Sequence, residues 1–207
     1  MTITPYFNEK AIQNLCQNIN MPAEATQVIL DCLRQMNPGD YEVVFPRLFC
    51  PETAPQAVEW LEGLQLDDTG MYLVTFYLVA ALHTKELYEQ KGISERIFYD
   101  SMGFYSRCVR EGMRWDGVWS FDRQEWGWRH LNLIIFRLGT LEFERSSMAP
   151  EDAAIFNLPA GTPKLALHIP RDAVLSLEEL QGSIAQADDF FAKYFGMEAP
   201  LPITTDT

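Results

Sequence analysis

Residues 128–145 read "WRHLNLIIFRLGTLEFER", and inside this stretch the spacing of the apolar side chains changes. Upstream, from Asn8 to about Ile135, apolar residues recur mostly three and four apart, as they do on the buried face of a helix. Leu141 and Phe143 then alternate with Glu142 and Glu144, as in a half-buried strand. The change of period sets the expected fold class, α+β. A helical N-terminal domain over residues 1–135 is followed by a small sheet over residues 136–207.

Working back from the switch, each helix has a local start signal. Asn8 is placed to cap the first, which puts Ile12, Leu15, Cys16 and Ile19 on one face. Pro22 suits the opening of the second, with Ala25, Val28, Ile29, Cys32, Leu33 and Met36 facing inward. "YEVVFPRLFCPETAP" has no sustained period and reads as a connection. A long apolar helix is predicted from about Thr69 to Gln90, stopping at Gly92. The next is capped by Ser94 and turns Arg96, Arg107, Arg110 and Arg114 to water. Asp122 with Glu125 resembles a capping box for a last helix reaching about Ile135.

Working forward, strands are expected at 137–145, at 154–158 ("AIFNL") and at 164–169 ("KLALHI"), joined as a three-stranded antiparallel meander. Pro170 ends the last of them, because it has no amide hydrogen to give to the ladder. Ser176 and Glu179 form a capping box for one covering helix, on which Leu180, Ile184, Ala187, Phe191 and Tyr194 share a face. The tail "MEAPLPITTDT" has little to pack and is expected to fray.

The totals narrow the partners. With 16 basic and 29 acidic residues the net charge is −13, so a nucleic acid meets repulsion. Ten of the 16 cations fall between Lys85 and Arg145, which is where an anion would be attracted. The longest apolar run, "MYLVTFYLVAAL", is too short to span a bilayer. Four cysteines without a C-x-x-C pair, and an N-terminus unlike a signal peptide, read as reduced thiols in a cytoplasmic protein. His83, His130 and His168 are too scattered to argue a metal site from spacing.

Four stretches carry a family resemblance: "LYEQKGIS" (87–94), "WSFDRQEWGWRHL" (119–131), "FRLGTLEFE" (136–144), and "LHIPRDAVLS" (167–176) followed by a helix ending "FFAKYF". In these the sequence resembles bacterial acyltransferase-domain proteins that pair a helical N-acyltransferase N-terminal domain with a GNAT-like C-terminal domain. The resemblance implies a partial GNAT-like sheet and transfer of an acyl group from acyl-CoA to a small amine acceptor. It implies a pantetheine running beside 164–169, which brings in Lys164 and Ile169, and a pyrophosphate near the helix that Ser176 begins, with Arg171 the nearest cation. It also implies a further strand splayed from the last meander strand, followed by more helices. The short tail after "FFAKYFGM" reads as a truncation that lacks this wall of the slot.

The chemistry requires a base. An alkylamine of pKa about 10.4 is the free base only about once in a few thousand molecules at neutral pH. Glu142 and Glu144 share a strand face and are candidates, unless they are ordinary solvent-facing carboxylates. His168, at the end of the third strand, is the other candidate. Against a coenzyme, "RDAVLS" has no phosphate-cradling glycine, and Glu178 and Glu179 occupy the first turn of the helix where an anion would sit. A second reading is a non-catalytic interaction module, whose exposed edge at 164–169 pairs with another chain, including a second copy in a homodimer.

Overall fold

The Asn8 side chain accepts a hydrogen bond from the Ala11 amide at 3.0 Å and so starts α1 (Glu9–Asn18), the first helix of a computed structural model that describes residues 2–64, 66–198 and 201–205. The chain divides into two compact units, Met1–Leu133 and Ile134–Thr207. In the first, α2 (Ala23–Gln35) follows Pro22, and two single-turn helices, α3 (Pro38–Tyr41) and α4 (Phe45–Leu48), occupy the proline-rich connection. α5 (Ala54–Gly63) comes next. α6 (Met71–Lys91) is apolar on every side and buried on every side over most of its length, so it forms the axis of this unit. α7 (Glu95–Asp116) is capped by Ser94, whose hydroxyl accepts from the Ile97 amide at 3.4 Å.

α8 (Gln124–Leu131) is shorter than the predicted helix. Asp122 does not cap it; its carboxylate instead holds the Arg123 guanidinium at 2.6 Å. Leu133 has a left-handed φ of 55°, which ends the helical path, and strand begins at Ile135. Gly127, inside α8, is a point of close approach. A Cβ there would lie 2.7 Å from Cδ2 of Tyr77, a fully buried ring whose hydroxyl donates to the Gln124 carbonyl at 2.8 Å. The Tyr105 hydroxyl also donates to the Gly127 carbonyl at 2.8 Å, so neither partner can yield. Gly127→Ala is therefore expected to destabilise by about 1–3 kcal/mol, despite alanine's higher helix propensity. At Gly63 an added Cβ meets nothing within 4 Å, and Gly63→Ala should stabilise slightly. Thermal melts of the two variants should move in opposite directions.

The four cysteines, all among the described residues, are free thiols. Burial pushes Cys16 up to about 12 and Cys32 up to about 11, with the charge on Asp67 adding to the latter. Cys108 is buried as well, and Cys50 alone is partly exposed. Alkylation of the native chain at pH 8 is expected to modify Cys50 rapidly and the other three only on unfolding, which peptide mass mapping reads directly.

The second unit departs from the predicted meander. The segment read as one strand is a hairpin, β1 (Ile135–Leu138) and β2 (Leu141–Ser147), closed by the two-residue loop Gly139–Thr140. Gly139 has a φ of +63°, as the first residue of such a loop needs, and it packs against Ser183 too closely to admit a Cβ. The segment read as the second strand is a helix, α9 (Pro150–Phe156). Pro150 fits its first turn, Glu151 and Asp152 complement its N-terminal partial charge, and Asn157 closes it in the left-handed region. The third predicted strand is present as β3 (Pro163–His168), followed by α10 (Leu177–Phe195) with Ser176 as its cap, the hydroxyl accepting from the Glu179 amide at 3.2 Å.

The tail contributes a fourth strand. β4 (Ile203–Thr204) runs parallel to β3, pairing Ile203 with Leu165 and Thr204 with Ala166, and the Leu165 amide donates to the Pro202 carbonyl at 2.9 Å. The sheet is thus a mixed four-stranded one, in the order β1-β2-β3-β4. The expected open edge at 164–169 is corrected accordingly, since its Leu165–Ala166 portion is already paired, and with it goes the main reason for expecting an edge-to-edge homodimer.

Candidate active site

Register divides the sheet into two chemically different faces. Phe136 opposes Phe143, which opposes Leu167, and the ring of Phe136 packs on Phe190 and Phe191 of α10 at centroid distances of 4.8 and 5.8 Å. The opposite face carries a row across three strands, Arg137 beside Glu142 beside His168, with Glu144 one step along β2. The sequence places Glu142 and Glu144 on one strand face and names His168 apart from them; the register brings His168 beside the two carboxylates.

Glu144 and His168 touch. Glu144 Oε2 lies 3.0 Å from His168 Nε2, and both side chains are only 14% exposed. With Glu144 ionised and His168 neutral, Nε2–H is the donor of this contact and Nδ1 is the ring nitrogen that carries no proton. Glu142 is 5% exposed, so neither carboxylate is the ordinary solvent-facing residue of the alternative reading. Carboxylates buried beside an imidazole are a costly arrangement unless they are paired or hydrogen-bonded.

Arg137 was not among the sequence candidates. It is 11% exposed and holds Asp172, in the loop after β3, at 2.7 Å. The Gly139 turn was the signal that would have found it, because a two-residue loop there places Arg137 opposite Glu142. The loop is further fastened when the Val174 amide donates to the Thr140 hydroxyl at 2.6 Å, and the Thr140 amide donates to the Ser183 hydroxyl at 2.9 Å.

The donor-side candidates are more dispersed. The Lys164 ammonium is held by Asp152 at 3.0 Å with only 10% of its side chain exposed. Ile169 is 57% exposed, Arg171 is exposed, and the Ser176 hydroxyl is engaged in capping α10, whose first turn carries Glu178 and Glu179. The other histidines lie elsewhere in the chain. His130 is buried and stacks on Phe104 at 4.2 Å, while His83 packs edge-on against Phe49 at 4.8 Å. Among the described residues no group of three His, Cys, Asp or Glu side chains is placed to hold a metal ion. No described helix is long and apolar enough to cross a membrane.

The model of the N-acyltransferase N-terminal domain matches residues 10–133, more than half of the chain. The chain belongs to the N-acyltransferase family. A GNAT-like C-terminal domain matches residues 135–203, the part that carries the Glu144–His168 pair. No curated protein matches the sequence. Among solved structures, an acyltransferase in complex with decanoyl-CoA and teicoplanin is similar, with a TM-score of 0.69 and 18% identity over 88% of this chain and 57% of that one. An acyltransferase mutant in complex with octanoyl-CoA gives 0.66 and 18% over 91% and 58%. An acyltransferase in complex with decanoyl-CoA gives 0.67 and 16% over 93% and 60%. At such identities the likeness is one of fold, and this chain spans 57–60% of the length of the structures it resembles.

Proposed function

We propose that the chain transfers an acyl group from an acyl-CoA thioester to a small amine, with His168 as general base and Glu144 as the carboxylate that orients it. The observation that carries this reading is the 3.0 Å contact between Glu144 and His168, on a largely buried sheet face. It lies where β3 passes beyond its parallel pairing with β4, which extends to Ala166 and Thr204. Parallel strands that separate leave backbone groups able to bind an extended ligand such as pantetheine. Acyl-CoA is found with the similar acyltransferase structures, which supports the choice of donor.

In the reaction the amine nitrogen attacks the thioester carbonyl carbon. The N–C bond forms, and the C–S bond breaks as the tetrahedral intermediate collapses. The nitrogen's proton passes to Nδ1 of His168, and coenzyme A departs as a thiolate that then takes up a proton. Glu144 holds the ring through Nε2–H, and both it and Glu142 stabilise the positive charge that the imidazole acquires. On the donor side, the exposed Ile169 would contact the pantetheine arm and Arg171 a phosphate. Lys164, already bound to Asp152, and Ser176, already capping α10, would have structural roles.

The test is thiol release from acyl-CoAs of about two to ten acyl carbons in the presence of a panel of primary amines, with calorimetry of coenzyme A binding alongside. Amine-dependent release with at least one chain length is expected. Absence of release across the panel, together with no binding heat at millimolar coenzyme A, would overturn the assignment.

A further inference from the structure

The helical unit contains a cavity of about 320 Å³, at the lower end of the size range of small-molecule sites. Its walls come from the C-terminal ends of α2, α3, α5 and α7, the segment leading into α6, the first turns of α6, and the segment between α7 and α8. A hydrogen bond from the Phe121 amide to the Thr69 carbonyl, at 2.8 Å, fastens the two connecting segments together. The cavity is therefore a built feature of this unit.

Its lining has two chemistries. Tyr72 supplies partly exposed aromatic surface and Leu64 and Leu66 supply apolar surface, while Tyr41, Phe76 and Phe121 are buried behind them. Glu62, Asp67, Asp68, Asp116 and Asp122 supply five carboxylates, and no lysine, arginine or histidine is among the described lining residues. Not all five are equally available. Asp67 accepts from the Thr69 hydroxyl and from the Met71 amide, at 2.7 and 2.8 Å, and thereby begins α6. Asp122 holds Arg123, and Asp116 takes a long hydrogen bond from the Ser120 hydroxyl. Glu62 and Asp68 are exposed and have no ion-pair partner among the described residues.

The negative field reaches the neighbouring groups. Tyr72 and Cys32 are raised first by burial and then in part by Asp67, and Tyr77 first by burial and then in part by Glu62. Such a cavity repels anions and favours cations. The Tyr72 ring offers an electron-rich face that attracts an ammonium group, and Leu64 and Leu66 offer apolar surface for a hydrocarbon body. A metal ion is the weaker occupant, since the described carboxylates, cysteines and histidines form no group of three placed to hold one.

We infer that this cavity binds an organic ammonium ion, a primary amine in its protonated form carrying a compact apolar or aromatic body. The carboxylates of Glu62 and Asp68 pair with the charge, and the ring of Tyr72 with the side chains of Leu64 and Leu66 receives the body. The inference stands on the helical unit alone and needs no acyl transfer, so its test uses binding only.

Calorimetry or ligand-observed magnetic resonance on the full chain should compare phenethylammonium, neutral 2-phenylethanol and phenylacetate, which share one ring and differ in charge. The ammonium is expected to bind at least about tenfold more tightly than the alcohol, phenylacetate not to bind, and added salt to weaken the ammonium severalfold. The double substitution Glu62→Gln with Asp68→Asn removes two charges that cap no helix; it should lower ammonium affinity about tenfold and leave alcohol affinity and the thermal melt unchanged. Equal binding of ammonium and alcohol would show an apolar cavity without charge selection and overturn the inference. So would unchanged ammonium binding by the double variant, or no binding of any of the three.

Discussion

Replacing His168 with alanine is expected to lower the turnover of amine acylation by about 10²–10⁴-fold, the usual contribution of a positioned base, while the KM for acyl-CoA stays within about threefold. The reason lies in the geometry of the pair. With Nε2–H committed to Glu144 at 3.0 Å, the ring presents Nδ1 for a proton. Without the imidazole, the amine must lose its proton to water. Glu144→Gln should act through the same path. The amide keeps the size of the side chain, but it removes the negative charge and can itself donate to Nε2, which favours the wrong tautomer. Its expected loss is about 10²-fold, and the double variant should be no slower than His168→Ala, because groups that act as a unit are not additive. Added free imidazole should recover part of the rate of His168→Ala and none of the rate lost by a misfolded chain. Turnover of His168→Ala within about threefold of the parent would remove His168 from the chemistry and leave Glu142 as the base to test.

How far the sequence alone revealed this can be followed residue by residue. Asn8, Ser94 and Ser176 announced helix starts, and each does accept the hydrogen bond its position predicts, because capping is a local interaction between residues two or three apart. Asp122 announced a start it does not make, since the adjacent Arg123 competes for its carboxylate. The alternation that suggested one strand at 137–145 concealed a turn. Leu138 and Leu141 are register partners, and the spacing between them differs from strand alternation by one residue, the mark of a two-residue loop. "AIFNL" is apolar enough for a strand, yet Ile155 is 79% exposed on α9, and Pro150, Glu151 and Asp152 are the signals that decide it. Nothing local announces β4, because two residues form it only by pairing with β3 from across α10.

The site shows the same division. Residue type and strand position were enough to single out Glu142, Glu144 and His168. Their meeting depends on the register of β2 against β3, which is set by nonlocal pairing. Arg137 was invisible until the hairpin was known. The cavity of the helical unit is built from helix ends and two connecting segments, whose acidic residues could be read as charge but not as a lining.

Phe136→Ala should have the largest effect on stability, about 3–5 kcal/mol. Phe136 is fully buried, opposes the fully buried Phe143 across the hairpin, and packs on Phe190, Phe191 and Phe195 at centroid distances of 4.8, 5.8 and 5.4 Å. It is therefore the side chain through which β1 and α10 share one core. Truncation removes the transfer free energy of a phenyl ring and leaves a cavity bordered by three other rings, which cannot collapse without displacing α10. Because the chain has two compact units, a single melting temperature is an ambiguous reading, and amide hydrogen exchange resolved by segment is the better one. Protection should fall in β1, β2 and β3, whereas the amides of α6 report separately on the helical unit. Phe136→Leu should cost only about 1–2 kcal/mol, since it keeps most of the apolar contact. A double-mutant cycle with Phe190→Ala should show coupling of about 0.5–1.5 kcal/mol, the share that belongs to the ring pair itself. A loss below about 1 kcal/mol for Phe136→Ala, well under the range for a truncated buried ring, would mean that α10 does not rest on this face of the sheet. The separation of an apolar face from the face bearing Glu144 and His168 would then have to be abandoned with it.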